Sequence, residues 1–144
     1  MAPLQKRALY SLMIGLALAI TLIVALIASG DVTTFFDNSL RFVMYIVMIG
    51  VPLIYLILVN LTLKKPTQLD ERDRIIMQQS SWAQYLAIIF SLAAWTIILT
   101  EIYSGKGQLP VEFLNLIMIS ILIISPLAQS AGILAGYWRM NRNG

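Results

Sequence analysis

Five ionisable side chains stand in a row at Asp70, Glu71, Arg72, Asp73 and Arg74, in a chain where only 12% of residues are charged. Carboxylates beside arginines are the raw material of general acid–base chemistry, and clustered acids can hold a divalent cation. The run itself argues against both. Successive residues on a helix point in different directions, and no second acidic cluster falls on the same side of the membrane to complete a site. The chain also has no histidine and no cysteine. Histidine-ligated haem, thiolate zinc, iron–sulfur clusters, thiol nucleophiles and histidine proton relays lose their usual groups, and no disulfide can form. The expectation is a protein that is not an enzyme, with no catalytic residue, no cofactor and no metal.

What must position the charged run is membrane helix. Hydrophobic residues make up 59% of the 144, above the share of soluble domains. Four long apolar runs, about 8–29, 40–63, 81–103 and 111–137, fill most of the chain. Each reaches the roughly 20 residues that cross a hydrocarbon core about 30 Å thick. In lipid each segment must satisfy its own backbone, which makes these runs helices, and no period-2 alternation argues for a barrel. The fold class expected is all-α, an integral membrane four-helix bundle forming a single domain over 1–144. Lys6 and Arg7 precede the first run as in a secretory signal. That run continues from Ala8 to Ala28, longer than the apolar region of about 7–15 residues in a signal, so it reads as a retained span.

Basic residues orient the bundle. With both termini cytoplasmic, Lys6, Arg7, Lys64, Lys65, Arg72, Arg74, Arg139 and Arg142 lie inside, and only Arg41 and Lys106 lie outside. Asp31, Asp37, Glu101 and Glu112 fall outside, while Asp70, Glu71 and Asp73 fall inside, so the inner side carries +5 and the outer −2 of the net +3. This is the bias of a multi-pass protein of the cell inner (cytoplasmic) membrane, whose basic side meets membrane lipids; it is no nucleic-acid footprint. In the outer loops, Gly30-Asp31 forms a turn, and Asp37 is placed to cap the second helix with Arg41 four residues on. Pro110 suits the first turn of the fourth helix, and Glu112 its positive end. Tyr10, Trp82, Tyr103, Tyr137 and Trp138 fall near span ends as an interfacial belt. Trp95 lies deeper, and its indole N–H requires a partner.

Two kinds of feature lie inside the spans. Ser11, Gly15 and Ala19 recur at intervals of four in the first span, as do Ala83, Ala87 and Ser91 in the third and Ala128, Gly132 and Gly136 in the fourth. Such stripes let helices approach closely. They serve packing within the chain or an interface to a partner subunit or second copy. The fourth span is also interrupted at Pro126, beside Ser125, Gln129 and Ser130, and the second at Pro52. Proline frees a carbonyl one turn earlier, which these polar side chains are placed to satisfy. Paired interruptions also point to transporter sites, which makes Pro126, Gln129 and Ser130 a possible polar kink site. No ionisable residue falls at mid-span, and Ala8–Ala28 offers only Ser11 and Thr21 as polar groups. An exporter built on a carboxylate in its first helix does not fit.

The charged run then reads as a helix start. Asp70 is placed to cap, Asp70, Glu71 and Asp73 sit where the helix dipole favours acids, and Asp70–Arg74 is an i,i+4 pair. Ile75, Ile76, Gln79, Trp82, Ala83 and Leu86 mark one stripe beyond it. A helix from Asp70 through the third span has about 34 residues, roughly 51 Å, about 20 Å more than the apolar core requires. The excess projects into the cytoplasm or lies along the surface with a bend near Ser80-Ser81, and Asp70, Glu71, Arg72, Asp73 and Arg74 form either a capped, self-neutralised helix start or a cytoplasmic docking surface.

The run Asp70-Glu71-Arg72-Asp73, followed by Ile76 and the small Ser80, also resembles small uncharacterised prokaryotic membrane proteins of the DUF2178 type. The resemblance covers this motif and the four-span plan. Members often carry a basic or aromatic residue soon after the motif, where this chain has Met77-Gln78-Gln79-Ser80-Ser81. The resemblance implies architecture and no activity. The function expected is a non-catalytic accessory or scaffolding subunit of a larger membrane complex, packed against other membrane subunits or as a homo-oligomer. The alternatives are a small oligomeric transporter or channel subunit, and a membrane regulator docking a cytoplasmic partner through Asp70–Arg74.

Overall fold

A computed structural model describes residues 2–36, 41–63 and 70–142. The described chain is all-helical, with no strand among the described residues: α1 (Pro3–Ser29), α2 (Val32–Phe36), α3 (Arg41–Leu63), α4 (Glu71–Tyr103) and α5 (Glu112–Arg142). Three of these, α1, α4 and α5, are long and apolar enough to cross a membrane.

Local chemistry sets the ends. Pro3 opens α1, where a missing N–H costs nothing, and Lys6 N–H donates to the Ala2 carbonyl at 3.1 Å. The helix therefore begins five residues before the apolar run. It stops at Gly30, whose φ of 75° is open to glycine and strained for other residues. The outer loop then forms a helix that the hydrophobic pattern does not announce. Asp31 accepts from the Val32 N–H and the Thr33 hydroxyl, each at 2.7 Å, and its carbonyl accepts from Phe35 N–H at 3.0 Å. This seeds α2, which buries Phe35 and Phe36. The expected cap at Asp37 lies outside the described residues.

Asp70 caps α4 as expected, accepting from Glu71 N–H at 2.8 Å. The expected side-chain pair with Arg74 is replaced by a backbone one, in which Arg74 N–H donates to the Asp70 carbonyl at 3.0 Å. α5 starts at Glu112, two residues past Pro110, and runs five residues beyond the apolar run. Arg139 and Arg142 stand in its last turn, where the dipole favours cations.

α5 is the centre of the fold. It packs against α4, α1, α3 and α2, whereas α4 rests on α5 and makes no comparable contact with another described helix. Two apolar clusters form along α5. One joins Leu4 and Ala8 of α1 with Tyr55 and Val59 of α3, Ile76 of α4, and Ile133 and Tyr137 of α5. The other joins Leu22, Phe35 and Phe36 with Leu116, Ile119 and Ile123. Only Asp73, Ile76, Ser80 and Leu99 of α4 are buried. The stripe expected on α4 is thereby corrected. Ile75, Gln79, Trp82 and Leu86 face outward, and the inward stripe is Asp73, Ile76, Ser80, Ala83 and Ala87. Apart from Ile76 and Leu99, small residues mark the side that meets α5, because lipid solvates isoleucine and tryptophan as well as a neighbouring helix does.

Candidate functional site

The small-residue stripes are distributed over two junctions. A Cβ at Gly132 would lie 3.0 Å from Ser80 Cα and 3.2 Å from Ala83 Cβ, and one at Gly136 would lie 2.9 Å from Ile76 Cγ2. Gly132 and Gly136 therefore form the close approach of α5 to α4. Gly15 meets other partners: a Cβ there would lie 2.7 Å from both Leu127 and the Tyr55 hydroxyl. α5 thus lies between α1 and α4, and the stripes of the first and third spans do not share one junction. Ala19, Ala83, Ala87, Ser91 and Ala128 are half-buried along these seams.

A polar layer crosses the bundle between the two apolar clusters. Ser130 of α5 donates to Ser11 Oγ of α1 at 2.7 Å. Ser11 Oγ lies 3.0 Å from the Tyr55 hydroxyl of α3, and that hydroxyl donates to the Ser11 carbonyl. Since Tyr55 spends its proton on the carbonyl, Ser11 donates to Tyr55, and each of the three hydroxyls donates once. Buried hydroxyls satisfied in this way hold helices in one register. Tyr55 is absent from any sequence motif; its signal is a hydroxyl at mid-span that requires a partner. On the other side of α5, Gln84 Nε2 donates to Ser125 Oγ at 2.6 Å. The deep Trp95 finds its partner in Ser120 Oγ at 2.9 Å.

These bonds correct the role given to Ser125 and Ser130 beside Pro126. Their hydroxyls engage other helices and not the backbone freed by the proline. Gln129 is 1% exposed. It lies one turn from Ser125 and one from Gly132, on the face turned to α4. Its Oε1 is buried without a hydrogen-bond partner.

The charged run is divided by the fold. Asp73 is buried and accepts a hydrogen bond from the Tyr137 hydroxyl of α5. Tyr137 is thus no interfacial belt residue, since only 3% of it is exposed. Arg72 reaches over the same junction: Nη2 donates to Asn141 Oδ1 at 2.9 Å, Nε donates to Met140 Sδ at 3.3 Å, and the guanidinium lies 5.8 Å from the Tyr137 ring centroid. Asp70, Glu71 and Arg74 remain exposed. Two of the five side chains therefore clamp α4 to the end of α5, and three face outward. Among the described residues no three histidine, cysteine, aspartate or glutamate side chains converge as a metal site. Asp73 is held by a phenol rather than presented to a reactant, so the arrangement is suited to fastening helices.

No protein-family model, curated protein or solved structure matches the chain.

Proposed function

We propose that the chain is a non-catalytic, four-span subunit of a larger assembly in the inner (cytoplasmic) membrane, with both termini in the cytoplasm. The resemblance of the charged motif to that of small prokaryotic membrane proteins is part of this proposal. α3, with 23 residues, is the fourth span in this reading.

The observation that carries the proposal is the isolation of α4. Its 33 residues are held along one side by α5, and its remaining sides carry exposed Trp82, Tyr85, Leu86, Ile89, Phe90 and Ile97. A contiguous apolar surface of this extent is stable in lipid or against another apolar protein, not in water. The clamp of Arg72 and Asp73 on α5 holds this surface in a fixed direction. The three outward charges, Asp70, Glu71 and Arg74, give a partner's cytoplasmic edge a polar rim. The test is gentle detergent extraction of the tagged protein from its native membrane, followed by native mass spectrometry. A reproducible complex with a different membrane protein is expected; a homo-oligomer alone would sink the proposal.

A second reading rests on one observation, the unpartnered Gln129 Oε1. In this reading a polar substrate that parts α4 from α5 meets this buried acceptor, as in a small oligomeric transporter. If Gln129→Leu leaves transport intact in a strain that depends on the protein, this reading is dead.

A further inference from the structure

Along the α4–α5 seam, small and polar residues recur at intervals of one helical turn, and one of them has no match. The two helices run antiparallel: Gly136 meets Ile76, Gly132 meets Ser80 and Ala83, and Ser125 accepts from Gln84. Gln129 follows Ser125 by one turn on the same face. Among the described residues, its Oε1 is the one buried side-chain oxygen or nitrogen without a hydrogen-bond partner. We propose that α4 takes up a second register on α5, one turn nearer Arg142, in which Gln84 donates to Gln129 Oε1 instead of to Ser125.

Three observations fix the direction and the step. The first is the free acceptor. It lies on the Arg142 side of Ser125, so a slide of α4 that way by about 6 Å, four residues at 1.5 Å each, delivers Gln84 to it. Ser125 is not stranded, because a serine hydroxyl bonds back to a carbonyl one turn earlier in its own helix. The second is the interval of four. The slide carries Ala87 to the place of Ala83 at Gly132, and Ser80 to the place of Ile76 at Gly136. Small residues meet glycine again, and the close approach survives. Ile76 moves on to Met140, whose flexible side chain adapts to it. The third is the clamp. Asn141 stands one turn beyond Tyr137, so Asp73 exchanges the Tyr137 hydroxyl for the Asn141 amide. Among the described helices only α5 holds α4 closely. The loop 104–111 that joins them reaches about 26 Å when extended, against helix axes about 8–10 Å apart, so it permits the step. The slide gives up the bonds of Arg72 to Asn141 and of Trp95 to Ser120, and it draws Glu101 one turn inward. These losses keep the first register the more populated. One-turn steps of one helix past another are an established form of two-state switching. The step supplies Gln129 from within the chain and depends on neither a protein partner nor a substrate.

The test uses the full chain in lipid vesicles. It has no cysteine, so Ile27→Cys on α1 and Phe90→Cys on α4, both at exposed positions, carry the only two spin labels. Double electron–electron resonance reads the distance between them. Arg72→Gln frees Asn141, and Tyr137→Phe frees Asp73. Each should add a second, discrete distance, longer than the first by up to about 6 Å. Adding Gln129→Leu, which removes the acceptor, or Asn141→Asp, which sets a like charge against Asp73, should abolish it. If Tyr137→Phe fails to fold, Arg72→Gln decides, since that side chain is exposed. A single distance in every background would overturn the proposal. So would a second distance that survives either added substitution, or a continuous spread in place of a discrete step.

Discussion

Replacing Gly132 by alanine adds one methyl group where α5 closely approaches the backbone of α4. The new Cβ would stand 3.0 Å from Ser80 Cα, 3.1 Å from Ser80 Cβ and 3.2 Å from Ala83 Cβ. Carbon atoms settle at about 3.5–4.0 Å, so α4 must move away by roughly 0.5 Å or more. The nearest obstacle is backbone, and no rotamer change relieves it. Overpacking of this kind costs about 1–3 kcal/mol. Alanine also propagates a helix better than glycine by about 1 kcal/mol, which offsets part of the cost. Gly50, inside α3, supplies the control: a Cβ there meets nothing within 4 Å, so Gly50→Ala receives the helical gain with no packing cost. Gly132→Ala is expected to be less stable than Gly50→Ala by about 1–3 kcal/mol, the packing term alone. The assay is unfolding in mixed micelles as the mole fraction of dodecyl sulfate rises, followed by circular dichroism and tryptophan fluorescence. Equal midpoints for the two variants would refute the close α4–α5 seam.

Other substitutions probe the remaining junctions. Tyr137→Phe leaves the buried Asp73 carboxylate without its hydroxyl donor and should destabilise by about 1–3 kcal/mol in the same assay, whereas the double variant with Asp73→Leu should recover part of the loss. Ser11→Ala strips the acceptor from Ser130 and the donor from Tyr55; a loss of about 1–3 kcal/mol is expected, reduced when Ser130→Ala is added. Asp31 tests the cap of α2 by pH. Hydrogen bonds from the Thr33 hydroxyl and then the Val32 N–H hold its carboxyl below the ordinary 3.8. A depressed carboxylate contributes stability above its unfolded value, and that contribution disappears as pH falls through the folded one. Amide exchange in Phe35 should therefore accelerate below pH 3.8, and Asp31→Asn should remove this step.

The long helices are legible because length and unbroken hydrophobicity suffice for them, and the ends Gly30 and Asp70 follow from glycine's freedom and aspartate's capping. The side of α4 that packs is harder to read. Hydrophobic periodicity presumes water as the alternative, and in lipid Ile75, Trp82 and Leu86 have no reason to turn inward. Ala83, Ala87, Gly132 and Gly136 carry the usable signal, since helices can approach only where side chains are small. Periodicity also misses α2, whose five residues depend on one cap and two phenylalanines. In the candidate site, Asp70 is readable as a cap from local sequence. The pairing of Asp73 with Tyr137, 64 residues away, and that of Ser11 with Tyr55 and Ser130 depend on which helices become neighbours, which no local pattern states. The usable clue is general: Tyr55, Gln84 and Trp95 are polar groups within the spans, and each must find a partner.

In the proposed assembly the outer side of α4 faces another protein. A photo-reactive amino acid placed at Phe90, which is 69% exposed, measures this directly in the native membrane. Irradiation should yield one discrete adduct with a different membrane protein, and the same probe at Ile123, buried in the bundle, should yield none. Labelling of Phe90 by lipid alone, or by a second copy of this chain, would contradict the account.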